Sequence, residues 1–273
     1  MKNLHLEIAG RTDKGKLRDR NEDSLLLLPD LGLAVVADGM GGHNSGEVAS
    51  GLAVDIIAQF AAKMLGGARE IVPDGGDARI SVRARQLRHF IENANTMIFE
   101  KARAFPKDHG MGTTVVAALA DERSIAVAHV GDSRLYLFRK GELTRLTEDH
   151  SLVMDQVRHG LITEEQAEKS NLQNILTRAL GTEPRVKVDV EDHPVFRGDV
   201  LVLCSDGLTK MVSDAELAAV LRSNEGAAET VDRLIAMALE AGGVDNVTVA
   251  VIRVAPPRPR GFLRFVRRLL GGR

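Results

Sequence analysis

Four aspartates in this chain stand where short apolar runs end. LAVVADG closes on Asp38-Gly39, VLVLCSDG on Asp206-Gly207 and AVAHVGDS on Asp132 beside Gly131, while GGVDN sets Asp245 just ahead of a final apolar run. Glu22-Asp23 in RDRNEDS adds two more acids. A carboxylate leaving a buried run is costly unless it is paired or bound to a metal, and few lysines or arginines stand beside these four in the sequence. The adjoining glycines let a cation or a water approach the backbone, where a carbonyl oxygen can serve as a ligand. An oxygen-only donor set selects hard cations, so magnesium or manganese fits better than zinc. Two such ions roughly 3.5 to 4 Å apart clamp a phosphoryl group and activate a shared water at neutral pH. For one Asp-Gly alone a turn or a helix cap is the simpler reading. Recurrence in four similar settings weakens that reading, although spacing does not establish that the four converge in space.

Strands and helices must bring them there. LHLEIAG alternates at Leu4, Leu6 and Ile8, and SLLLL and GLAVVAD are short apolar runs parted by the Pro29-Asp30 turn, which predicts paired strands. Apolar positions recur helically at Val48, Leu52, Ile56 and Phe60 over residues 45–65, and a similar block runs from about 79 to 105. TTVVAALA, SIAVAHV and RLYLFRK follow as strands joined so tightly that they must pair antiparallel. Residues 147–181 are polar and irregular, as expected of a surface flap, with Thr163 and Gln166 capping one short helix. VLVLC is a strand, Ser213 and Glu216 box the start of a helix, residues 227–241 form another closed by Gly242-Gly243, and VTVAVIRV is the last strand. Grouped strands and helices without strict alternation define the α+β class, antiparallel sheets covered by helices.

With 273 residues and 44% hydrophobic content the chain can bury a sizeable core. The single cysteine, Cys204, excludes an internal disulfide framework and a cysteine zinc cage. No leader-like apolar segment opens the sequence and no stretch reads as a bilayer span, so a soluble cytoplasmic protein is expected. The net charge of -2 hides an acidic body, because six arginines and no acid lie after residue 255. An acidic body argues against bulk nucleic-acid binding and suits a protein that gathers cations. In the terminal segment 255–273, prolines precede a pattern that sets Phe262, Phe265, Val266 and Leu269 on one helical face and Arg264, Arg267 and Arg268 elsewhere. Either a frayed terminus or a weak contact with a membrane surface or a partner protein accounts for it.

RDRNEDS, VVADGMGGHNSGEVAS, GMGTT, GDSRLY, LCSDGL and DNVTV occur in the order shown by metal-dependent serine/threonine protein phosphatases of type 2C, and they span nearly the whole chain to residue 254. The sequence resembles the compact bacterial-type members, which carry DGMGG where many eukaryotic ones carry DGHGG. The resemblance implies one catalytic domain over 1–254 with a flap at about 147–181, folded as a four-layer α-β-β-α sandwich. It implies hydrolysis of phosphoserine and phosphothreonine in proteins by in-line attack of a metal-bridging water or hydroxide, opposing a serine/threonine kinase, by an enzyme expected to be a monomer.

Position by position, the resemblance implies that Asp38 bridges two metals with the Gly39 carbonyl on one of them. Asp206 and Asp245 would complete the first metal and Glu22 the second, largely through water. Asp23 supports this shell without coordinating. Asp132 with Asp206 would hold a third, weaker ion, against the alternative that Asp132 shapes a tight turn. Arg18 would grip the substrate phosphate, a role suited to a planar, permanently charged guanidinium. Asn246 would orient Asp245 by hydrogen bonding. Thr113 and Thr114 are expected to be structural, and His89, His109, His129, His150, His159 and His193 show no ligand spacing. At Met40 a thioether stands where other members have a histidine that can protonate the leaving group. His43 is the nearest titratable side chain, and protonation by metal-bound water is the preferred assignment. Two other readings compete: a phosphoprotein-binding module without turnover, and a phosphodiesterase or nuclease, which the acidic body disfavours.

Overall fold

The run LAVVADG is hydrophobic at every position because both faces of its strand are buried. Leu33, Val35 and Ala37 pack with one set of helices, while Ala34 and Val36 pack against a second sheet. The computed structural model describes residues 5–41, 45–66, 79–120, 124–168 and 170–255. His43 and the basic segment from residue 256 onward lie outside the described residues. The strands are β1 (His5–Asp13), β2 (Asp23–Leu28), β3 (Leu33–Met40), β4 (Gly112–Thr113), β5 (Val115–Ala120), β6 (Ser124–Val130), β7 (Arg134–Arg139), β8 (Glu142–Arg145), β9 (Asp189–Pro194), β10 (Val200–Cys204) and β11 (Val247–Ala255). The helices are α1 (Ser45–Leu65), α2 (Val82–Ala104), α3 (Leu152–Arg158), α4 (Glu164–Glu168), α5 (Asp206–Thr209), α6 (Asp214–Arg222) and α7 (Ala227–Glu240).

The strands form two antiparallel sheets, ordered β1-β11-β10-β7-β8 and β2-β3-β5-β6-β9, with β4 pairing to the end of β3. The period of two along each strand sorts side chains into layers. On β10, Val200, Val202 and Cys204 face the layer of α6 and α7, whereas Leu201 and Leu203 meet the other sheet. On β11, Val247, Val249 and Val251 face the helices, and Ala250, Ile252 and Val254 face the sandwich interior. Helices α1 and α2 cover the opposite outer face. Four layers result, α-β-β-α, as the resemblance implies.

Two features depart from the sequence reading. Helix α1 is long and apolar enough by length and composition to cross a membrane, where no such stretch is expected. It behaves as a core helix: Ala49, Ala53, Ile57 and Ala61 are fully buried in the layer shared with β3 and α2. Strand β9, DVEDHP, carries no apolar signal and was not predicted. It sits at a sheet edge, pairs on one side with β6, and so needs little apolar surface.

The flap is irregular, as expected, but its roots are anchored. Thr147, Asp149, His150 and Ser151 are buried at one end and Ala179 and Leu180 at the other. Leu180 exchanges both backbone hydrogen bonds with Thr113, and Ser151 bridges to Leu176.

Candidate metal centre and active site

Asp38 does not end its strand. β3 runs on through Gly39 to Met40 and pairs with β4, Gly39 opposite Thr113 and Met40 opposite Gly112. Having the parity of Ala34 and Val36, Asp38 belongs to the face turned toward the other sheet, at the open end of the sandwich. Its backbone is clamped from GMGTT: Asp38 N–H donates to Thr114 Oγ1 (3.1 Å), and its carbonyl accepts from Thr114 N (2.8 Å) and Thr113 Oγ1 (2.9 Å). Gly39 is required by close approach. A Cβ there would stand 2.1 Å from the Gly46 carbonyl oxygen and 2.6 Å from that of Glu22.

The other acids arrive from three different connections. Asp206 opens α5 directly after β10, Asp245 precedes β11, and Asp132 lies in the turn between β6 and β7. A Cβ on Gly207 would lie 1.9 Å from the Asn246 carbonyl oxygen, so only glycine lets the Asp206 and Asp245 segments meet. Asp23 stands directly across from Asp38 in the β2–β3 register, a like-charge pair that is unfavourable without a counter-cation. Burial raises the Asp38 carboxyl well above its usual range, and the charges of Asp23, Asp206, Asp132 and Asp245 raise it further. Asp132 is pushed up to about 7 by burial and by Asp206 and Asp149. Asp23 is pushed up to about 6 by burial, against hydrogen bonds from Thr248 and Ser205. The acids at the four run ends therefore converge.

Glu22 lies beside the start of α1, where a Cβ on Gly46 would come within 2.7 Å of its Oε2. Burial raises its pKa, with Arg18 as the main opposing charge. Arg18 holds Asp245 in a fork, Nε to Oδ1 at 2.9 Å and Nη2 to Oδ2 at 3.0 Å, with about half its side chain exposed. The Asn246 side chain holds the neighbouring loop and not Asp245. Its Oδ1 accepts from Glu22 N (2.8 Å), and its Nδ2 donates to the carbonyls of Lys14 (2.9 Å) and Arg20 (2.8 Å), pinning the loop that carries Arg18 and Glu22. The contact to Asp245 is made instead by the Asn246 backbone N–H, at 2.9 Å from Oδ1.

The structure corrects the expectation that these carboxylates have few cationic partners. Lys210, one helical turn beyond Asp206, forms an ion pair with Asp206 Oδ2 and lies 3.4 Å from Asp245 Oδ2. Ser205 Oγ (2.8 Å) and Thr248 Oγ1 (2.6 Å) both donate to Asp23 Oδ2. Of these, only Lys210 carries a sequence signal, its i,i+4 spacing from Asp206, and that signal needs the α5 turn to be recognised.

His129 and His150 are buried and stack with ring centroids 4.7 Å apart. With Asp189 their donor atoms all lie within 4.8 Å of one another. They do not form a second metal site. His150 Nδ1 accepts from Gly131 N–H (3.0 Å), so Nε2 carries the proton donated to Asp189 Oδ2 (3.0 Å), and no lone pair remains for an ion. Burial lowers its pKa to about 4, which keeps it neutral.

The residues at the open end do fit hard cations. The donors are all oxygen, Asp23 Oδ1 and Asp206 Oδ1 are buried without a hydrogen-bond partner, and the glycines leave backbone carbonyls within reach. An α-β-β-α sandwich carrying an oxygen-only acidic cluster at the open end of its sheets, with an arginine fork on the rim, defines a metal-dependent phosphohydrolase. The chain belongs to the protein phosphatase 2C family, whose model matches residues 18–246. It is 39% identical over 254 residues to the serine/threonine phosphatase Stp of Listeria welshimeri, covering 91% of this chain and 95% of that protein. The crystal structure of the serine/threonine phosphatase PstP/Ppp of Mycobacterium tuberculosis superposes with a TM-score of 0.81 at 36% identity, covering 92% of this chain and 99% of that one. A PstP catalytic domain in complex with two manganese ions matches with a TM-score of 0.78 at 37% identity, over 92% of this chain and 99% of that one.

Proposed function

We propose that this protein hydrolyses phosphoserine and phosphothreonine monoesters in proteins, with manganese or magnesium held by Asp38, the Gly39 carbonyl, Asp206, Asp245 and Glu22. The observation that carries the reading is the convergence of these acids, from separate connections, on the open end of the sandwich beside Arg18. When bound, the ions activate a water and neutralise the phosphoryl oxygens. Arg18, already forked on a carboxylate, has the geometry to take two phosphate oxygens and hold the ester for in-line attack. Asn246 keeps the Arg18 loop in place, and Thr113 and Thr114 hold the Asp38 backbone. Asp23 stays behind the acids, fixed by Ser205 and Thr248. Met40, on the paired end of β3, has no proton to give, so the leaving alkoxide takes its proton from solvent at the centre. Asp132 with Asp206 forms a third, weaker cation site.

The protein works as a cytoplasmic monomer against a serine/threonine kinase. Turnover of p-nitrophenyl phosphate and a phosphothreonine peptide, with and without manganese, tests the reading. Wild type is expected to be active only with metal, to ignore a diester, and to lose at least about a hundredfold in kcat on Asp38→Ala. Metal-independent turnover, or full activity in the variant, refutes it. Stoichiometric phosphopeptide binding without turnover would instead favour a non-catalytic module.

A further inference from the structure

We infer that Lys210 is a tethered cation that competes with the divalent metal for Asp206 and Asp245, and thereby sets the metal affinity of the centre. The inference rests on the reading of those two carboxylates as metal ligands. Its basis is one turn of helix: Lys210 N–H donates to the Asp206 carbonyl at 2.9 Å, so residue 210 sits above residue 206 on the same face. Side chains on a helix lean toward its N-terminus, which returns the ammonium onto the Asp206 carboxylate. There it pairs with Asp206 Oδ2 and reaches to 3.4 Å from Asp245 Oδ2.

An ammonium has three donors and no lone pair, so it neutralises carboxylates but cannot share in coordinating a metal. It takes up Asp206 Oδ2 and leaves Oδ1 as the unpartnered oxygen open to an ion. A single positive charge left beside a divalent one is also repulsive, and with the side chain only 29% exposed, salt screens that repulsion weakly. A metal taken up through Asp206 Oδ1 therefore has the ammonium as a like-charged neighbour and gains Oδ2 only if the lysine swings off, which its flexible stem permits. Arg18 competes for Asp245 in the same way, but it has a separate role at the phosphate. Lys210 isolates the competition. Without a nearby cation, Asp206, Asp245 and Asp132 repel one another. With the lysine present they are held together at a lower affinity for metal.

Isothermal titration of Mn2+ into EDTA-stripped full-length protein tests this directly, comparing wild type, Lys210→Met, Lys210→Arg and Asp38→Ala. Lys210→Met is expected to bind Mn2+ about tenfold more tightly than wild type, and Lys210→Arg, which keeps the charge, to stay near wild type. Stripped Lys210→Met should also melt below stripped wild type, and the order should reverse in saturating Mn2+. An affinity in Lys210→Met equal to or weaker than wild type overturns the inference, as does Lys210→Arg binding as tightly as Lys210→Met. Lys210→Gln, checked by circular dichroism, serves in place of the methionine variant should that one fail to fold. Absence of Mn2+ uptake by wild type, or uptake unchanged in Asp38→Ala, would overturn the metal reading and this inference together.

Discussion

Asn246 shows how much of the centre depends on a side chain that touches no reacting atom. Three hydrogen bonds from its amide tie Lys14, Arg20 and Glu22 to the start of β11, and its own side chain is almost fully buried. Asn246→Ala leaves the Glu22 N–H and the Lys14 and Arg20 carbonyls, all part-buried, without this partner, at a cost of about 1 to 2 kcal/mol in stability. Because Arg18 rides on the same loop, KM for a phosphopeptide should rise about tenfold with a smaller change in kcat. Urea unfolding and steady-state kinetics read the two effects, and wild-type values for both would contradict the role. At this scale the aspartates were legible from residue type and their place at the ends of apolar runs, whereas Arg18 stood out from its basic neighbours only through the motif register of the family resemblance. Lys210 was not, since its contact with Asp206 exists only once the four residues 206–209 close a helical turn. The hydroxyls of Ser205 and Thr248 were hidden for a similar reason: they meet Asp23 across two sheets, at sequence separations of 182 and 225.

Among the elements, the flap is the one whose sequence says least. Its polar composition correctly implied irregular backbone, yet gave no sign that its first root is locked. Asp149 is 7% exposed and accepts from Arg134 through both Nε and Nη2, the latter at 2.7 Å, while Arg134 Nη1 donates to the Tyr136 hydroxyl at 3.2 Å. Removing one partner of such a pair leaves the other charge uncompensated. Asp149→Ala is therefore expected to cost about 3 kcal/mol in urea unfolding, and a loss under 1 kcal/mol would show that the pair does not hold the root. The strand β9 teaches the complementary lesson. A half-paired edge needs few apolar residues, so DVEDHP carried no periodic signal, while β3, buried on both faces, announced itself by an unbroken run.

For the whole molecule, the buried His150 links three parts: the flap root, the Gly131-Asp132 turn and the edge strand β9. Its stability contribution has a definite sign with pH. Burial, with the charges of His129 and Arg178, lowers its pKa to about 4, against the opposing effect of Asp189, while an unfolded histidine titrates near 6.5. Below about 6.5 the unfolded chain takes up a proton that the native protein refuses, so stability is complete above that pH and falls as pH drops toward 4. The loss approaches roughly 3 kcal/mol. His150→Asn keeps an acceptor for the Gly131 N–H but removes the titration. Between pH 7.5 and 5, wild type should lose clearly more thermal stability than this variant, the acid cluster being common to both. Parallel pH profiles would count against the assignment.

What the sequence determined by itself is whatever local chemistry expresses: the α+β class from apolar periodicity, the oxygen-only donor set from four aspartates at the ends of apolar runs, three of them beside a glycine, and the family resemblance from six motifs in order. Two antiparallel sheets with helices outside follow from residues that alternate between layers. Convergence was decided only in three dimensions. Asp38, Asp132, Asp206 and Asp245 reach one end of the sandwich through connections far apart in the chain, and each raises or bears upon the charge of the others only there. Electrostatic coupling acts through space, so a sequence can name the charges while the fold alone sets their distances, and with them the affinity for a metal.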